Sequence, residues 1–149
     1  MNTNRRIGLT ISATMLAAAG TIIAGSPTAT AADIPNYTFS ASKDSDGSLR
    51  VGAYLDGRYA GLAEWSADPI PHASYPGDAV RALDVLADGW GAEAIIENPY
   101  RIATTQGHSS PYTTSWKTGD LAEGREIRMR LCMVKGLNAK CSKYYAGNA

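Results

Sequence analysis

Residues 121–146, LAEGREIRMRLCMVKGLNAKCSKYYA, read as two strands joined by a short loop, with one cysteine in each strand. Ile127, Met129, Leu131 and Met133 fall on one side of the first strand, and Glu126, Arg128, Arg130 and Cys132 on the other. A period of two marks a half-buried strand with its apolar side inward. The return strand runs from about Lys140 to Ala146, and Lys135-Gly136-Leu137-Asn138-Ala139 supplies Gly and Asn for the turn.

Cys132 and Cys141 are the only cysteines of the chain. Set opposite each other, they lie where adjacent strands bring Cβ atoms close enough for a disulfide. Counting outward, Arg130 then faces Lys143 and Arg128 faces Tyr145 on the cysteine side, while Leu131 faces Ser142 and Met129 faces Tyr144 on the core side. Closing so short a loop stabilises by roughly 2–3 kcal/mol, mainly by restricting the unfolded chain. Without CxxC spacing the pair reads as an exposed structural staple and not a redox centre.

Arg128, Arg130, Lys143 and Tyr145, with Lys135 near the tip, form a candidate partner-binding face. Glu93 and Glu97 lie on one side of a strand expected at 90–97 and could instead neutralise it.

Residues 1–31 stand apart. Arg5-Arg6, the apolar run from Ile7 to Ile23 and Ala29-Thr30-Ala31 have the order of a secretory signal peptide with an A-x-A cleavage site. Gly8 stands where a twin-arginine signal wants a large apolar residue, so the general export route fits better. The mature chain then begins at Ala32, and residues 32–149 form a single secreted domain with no membrane span after processing. An oxidising exterior also suits paired cysteines.

The formal charge of the whole chain is zero, yet it is unevenly laid out. Residues 32–100 carry four basic and eleven acidic side chains, and residues 101–149 carry eight basic and three acidic. No global excess of positive charge points to nucleic acid. The two halves are expected to meet each other in a monomer.

Asp56-Gly57 sits between alternating segments in Leu49–Trp65, the strongest short signal for a two-residue hairpin turn. Its arithmetic pairs Tyr54 with Tyr59, Gly52 with Gly61 and Val51 with Leu62. The facing glycines leave a bare patch for an aromatic, such as Trp65, to cover; an aromatic ligand groove is the other reading. Tyr37–Ala41 is a first strand, ended by a turn at Lys43-Asp44-Ser45-Asp46-Gly47. Residues 67–78, with three prolines, form an irregular connection. Residues 78–88 admit a helix or a strand; with β elements on both sides, the reading is strand 79–85, turn 86–89, strand 90–97. Short strands follow at 100–105 and 112–116. Turns every eight to twelve residues indicate an antiparallel β-sandwich, broadly immunoglobulin- or fibronectin III-like.

The chemistry available is narrow. His72 and His108 lie in different loops, so no metal set converges from spacing. His108 with Ser109 or Ser110 offers material for a hydrolase, but no GxSxG elbow is present. No Gly-rich phosphate loop joins a strand to a helix, and no cofactor is expected.

Gly77-Asp78, Asp84, Ala87-Asp88-Gly89, Glu123-Gly124, Cys132-x-Val134-Lys135-Gly136 and Cys141-Ser142, in that order, resemble a group of small secreted actinobacterial proteins of uncharacterised function. The resemblance spans Asp78 to Tyr145. It implies a β-sandwich, supports strand 79–85, and implies an extracellular location without an activity. More loosely, Leu121-x-x-Gly124-x-x-Ile127 is similar to the fibronectin type III entry into its penultimate strand, with Ile127 in place of the corner tyrosine. The expected function is a non-enzymatic binding module for a wall polymer, glycan or protein. An inhibitor of secreted proteases presenting Lys135, or a small hydrolase around His108, are the other classes.

Overall fold

A computed structural model describes residues 33–149; the expected leader at 1–31 lies outside the described residues. Among the described residues, ten strands form two antiparallel sheets. The first sheet holds β1 (Tyr37–Lys43), β2 (Leu49–Leu55), β3 (Arg58–Ser66), β4 (Ala79–Asp84) and β7 (Tyr112–Thr113), in the order β1-β2-β3-β4-β7. The second holds β5 (Gly91–Ile96), β6 (Arg101–Thr104), β8 (Glu126–Lys135), β9 (Asn138–Cys141) and β10 (Tyr145–Asn148), in the order β10-β8-β5-β6 with β9 also on β8. The likeness to an immunoglobulin sandwich is one of architecture: here four consecutive strands stay in one sheet. Residues 78–88 hold strand β4 and no helix, and a short 3-10 turn at Pro71–Ala73 is the only helical element among the described residues.

The core follows from strand parity. Val51, Ala53, Ala63, Trp65, Val80 and Ala82 come from the first sheet, and Ala92, Ala94, Ile96, Ile127, Met129, Leu131 and Met133 from the second. All four apolar residues that alternation assigns to the inner side of β8 are fully buried. Gly61 marks the closest approach: a Cβ there would stand 3.0 Å from the Leu83 carbonyl oxygen and 3.1 Å from the Ala92 Cβ. Trp65 faces this interior, not the glycine patch it was expected to cover, and its indole N–H donates to the Asn148 carbonyl at 2.8 Å.

Two β-bulges correct the registers expected from counting. In the β2–β3 hairpin Tyr54 pairs with Tyr59 as expected, but Ala53 then pairs with Gly61 and Gly52 with Leu62. Ala60 is the extra residue, and its carbonyl accepts from Val85 and Leu86, which fixes where the chain leaves β4 for the second sheet.

In the C-terminal hairpin Cys132 pairs with Cys141, and the disulfide spans a Cα–Cα distance of 4.0 Å. The turn is only Gly136-Leu137, with Lys135 opposite Asn138, because Gly136 takes a positive φ of 59°. Past the cysteines one extra residue enters, so Tyr145 lies opposite Met129 and Ala146 opposite Arg128. Tyr145 therefore packs on the core and leaves the face of Arg128, contrary to the simple count. The bulge would orphan the Leu131 N–H; the Ser142 hydroxyl accepts it instead, at 3.1 Å.

The cysteines are on the outer side of β8, as expected, but they are not an exposed staple. Cys132 is 2% exposed, packed with Ile95 and Val134 and flanked by Ile102 and Cys141. The outer side of the second sheet thus carries a small apolar cluster of its own.

Candidate functional site

The β4–β5 connection, the β6–β7 connection and the β8–β9 turn meet around a cavity of about 420 Å³. Asp84 lies in its wall because β4 continues its inward parity through Val80, Ala82 and Asp84, placing a carboxylate where the next core residue would be. The second connection contributes Gln106, His108, Ser109 and Ser110, and the turn contributes Lys135 and Gly136.

These loops are tied to one another. The Gln106 side-chain N–H donates to the Gly136 carbonyl at 3.1 Å, joining the second connection to the hairpin turn. Thr105 is fully buried, and its hydroxyl accepts from the Ala92 N–H at 2.8 Å. Asp88 accepts from the Trp90 N–H at 2.9 Å and from the Tyr37 hydroxyl at 2.7 Å, fixing the first connection against β1. Burial, and next the Asp88 carboxylate, push the Tyr37 phenol well above its ordinary value, so it remains a donor.

Asp84 is 2% exposed. One carboxylate oxygen accepts from the Ser110 hydroxyl, and the other, Oδ1, has no hydrogen-bond partner among the described residues. Burial raises its pKa above the usual carboxylate range; the Ser110 bond opposes this, Asp88 reinforces it, and the nearby Leu86 N–H, whose hydrogen bond goes to the Ala60 carbonyl, opposes it. Lys135 also lines the cavity and stands over Gly89, where a Cβ would lie 3.5 Å from its ammonium nitrogen. The arrangement holds an acceptor and a cation in the lining of one cavity.

His108 and the serines, candidates from sequence, share this cavity but do not form a nucleophile–base pair. The His108 ring stacks flat on Tyr112, with centroids 3.8 Å apart and planes at 3°. The Ser110 hydroxyl is engaged by Asp84, and no hydrogen bond joins His108 to Ser109 or Ser110 among the described residues. No group of three or more His, Cys, Asp or Glu side chains converges to hold a metal among the described residues. Asp84 was the residue that reading for motifs missed as a site member; its parity on β4 was the available signal.

The basic face expected on the hairpin is only partly assembled. Arg128 pairs with Glu97 at 2.6 Å in an exposed contact worth little to stability. Arg128 and Arg130 both lie against Tyr144, at 5.1 and 4.9 Å from its ring centre, so Tyr144 takes the place expected for Tyr145. Lys143 instead lies over Tyr145 at 5.2 Å. Glu93 pairs in register with Cys132 and makes no salt bridge to these cations. Lys135 is separate from this cluster and belongs to the cavity.

Comparison with protein families, with curated proteins and with solved structures gives no match. The cavity and its residues therefore carry the functional reading.

Proposed function

We propose that this chain is a secreted, non-enzymatic binding module whose ligand, a residue of a wall polymer, glycan or protein, enters the cavity between Asp84 and Lys135. The observation that carries this reading is the unpartnered Oδ1 of Asp84, a buried polar atom in the wall of an opening rimmed by a cation. A buried acceptor without a partner costs roughly 1–3 kcal/mol, a cost that a ligand donor reaching it would relieve. The matching group on the ligand is an amide, ammonium or hydroxyl donor, beside an anionic or carbonyl oxygen for Lys135.

The extracellular location rests on the leader-like segment at 1–31 and on the resemblance to secreted actinobacterial proteins. A disulfide with no long apolar helix among the described residues is compatible with it. The inhibitor reading draws less support, because Lys135 lies over Gly89 and lines the cavity.

The test is co-sedimentation of the mature domain with cell-wall material and with immobilised secreted proteins. Lys135→Ala and His108→Ala should each weaken retention roughly tenfold or more. Wild-type retention that survives both changes would overturn the reading.

A further inference from the structure

The outer side of the first sheet carries a second groove, of about 240 Å³, remote in sequence from the cavity residues. Its floor is Gly52, its walls are Tyr54, Tyr59 and Leu62, and Ser40 and Ser42 line the β1 side. Register brings them together: Gly52 lies between Ser40 on β1 and Leu62 on β3, while Tyr54 pairs with Tyr59. The two rings sit 5.5 Å apart, tilted at 56°, and Tyr59 is 39% exposed. A Cβ at Gly52 would meet both ring edges at 3.3–3.4 Å, so glycine is what keeps the floor open.

The electrostatics of this face select the occupant. Arg50 reaches Asp44 at 2.6 Å and Glu64 at 3.0 Å, and Arg81 holds the other Glu64 oxygen at 2.7 Å. Arg81 is itself packed between Tyr75 and Trp116, 4.5 and 4.3 Å from their ring centres. Two cations and two anions thus answer one another, and little net charge is left to attract an ion. What remains free is aromatic surface beside small hydroxyls.

We infer that this groove is a docking site for an uncharged glycan strand. The negative faces of the tyrosine rings suit the weakly positive C–H face of a sugar. Ser40, Ser42 and the tyrosine hydroxyls suit its hydroxyl rim. A groove on a sheet face lets a chain lie across the strands. The site shares no lining residue with the cavity.

Retention of the mature domain on insoluble cellulose and chitin at high salt tests the inference. Wild-type protein should bind at least one of them, and Tyr59→Ala should weaken retention roughly tenfold or more. Ser40→Glu places a carboxylate at an exposed groove position and should weaken it comparably while leaving the melting curve unchanged, which separates lost binding from lost folding. No retention on either polysaccharide, or retention unaffected by Ser40→Glu, would each overturn the groove assignment. Binding only to charged wall polymer at low salt would do the same.

Discussion

Tyr145 lies opposite Met129, one residue out of step with the Cys132–Cys141 pair that precedes it on the same edge of β8. The slip turns Tyr145 onto the core and leaves Tyr144 between two arginines. Tyr145→Ala should therefore cost about 2 kcal/mol, below the roughly 3–5 kcal/mol of a fully buried aromatic because Tyr145 is only partly buried. Tyr144→Ala should cost less than about 1 kcal/mol, since it removes cation–π contacts near solvent. Urea unfolding of both variants checks the order, and the reverse order would restore the unbulged register.

The disulfide is sealed among Ile95 and Val134, so what replaces the sulfurs matters. Cys132→Ala with Cys141→Ala should lose the loop-closure contribution, roughly 2–3 kcal/mol. The double serine variant should lose about a further 1 kcal/mol, because a hydroxyl at position 132 would be buried in apolar surroundings. Equal denaturation midpoints for the two double variants would show that the outer cluster is open to water.

How far the chain was legible depends on what strand parity can and cannot register. Parity identified the buried side of β8, and Asp56-Gly57 identified the β2–β3 turn because both residues tolerate positive φ, here 50° and 77°. Counting failed wherever a bulge inserted a residue, at Ala60 and between Ser142 and Tyr145, since a single extra residue leaves no compositional mark. Cys132 had the right direction but the wrong exposure: its burial depends on Ile95 and Ile102, which only the β5–β6 and β5–β8 pairings bring beside it. His108 and Ser110 were visible as chemistry, yet their neighbour Asp84 comes from a strand far earlier in the chain. Folding alone makes that pair.

Gly61 and Gly52, once expected to face each other, should respond differently to a methyl group. At Gly61 the new Cβ would press on the Leu83 backbone oxygen and on Ala92, neither of which can turn away. Gly61→Ala should cost about 1–3 kcal/mol by forcing the sheets apart. At Gly52 the neighbours are ring edges that can rotate, so Gly52→Ala should cost clearly less in the same urea titration while narrowing the groove.

Asp84 should make stability depend on pH in the direction opposite to an ion-paired carboxylate. Burial holds its native pKa above that of the unfolded chain, so the native state keeps a proton that the unfolded state has already released. Between the unfolded value, about 4, and the raised native value, unfolding releases a proton. The favourable contribution is complete below the unfolded pKa and is lost as pH rises through the native one. Wild-type protein should thus lose stability relative to Asp84→Asn as pH rises from below about 4 toward neutrality. Ser110→Ala removes the bond that holds the pKa down, so it should extend the window to higher pH. Urea melts of the three proteins across this range decide it: a wild type that gains on Asp84→Asn as pH rises would mean that Asp84 is ionised and well solvated, and that its free oxygen is no vacancy awaiting a ligand.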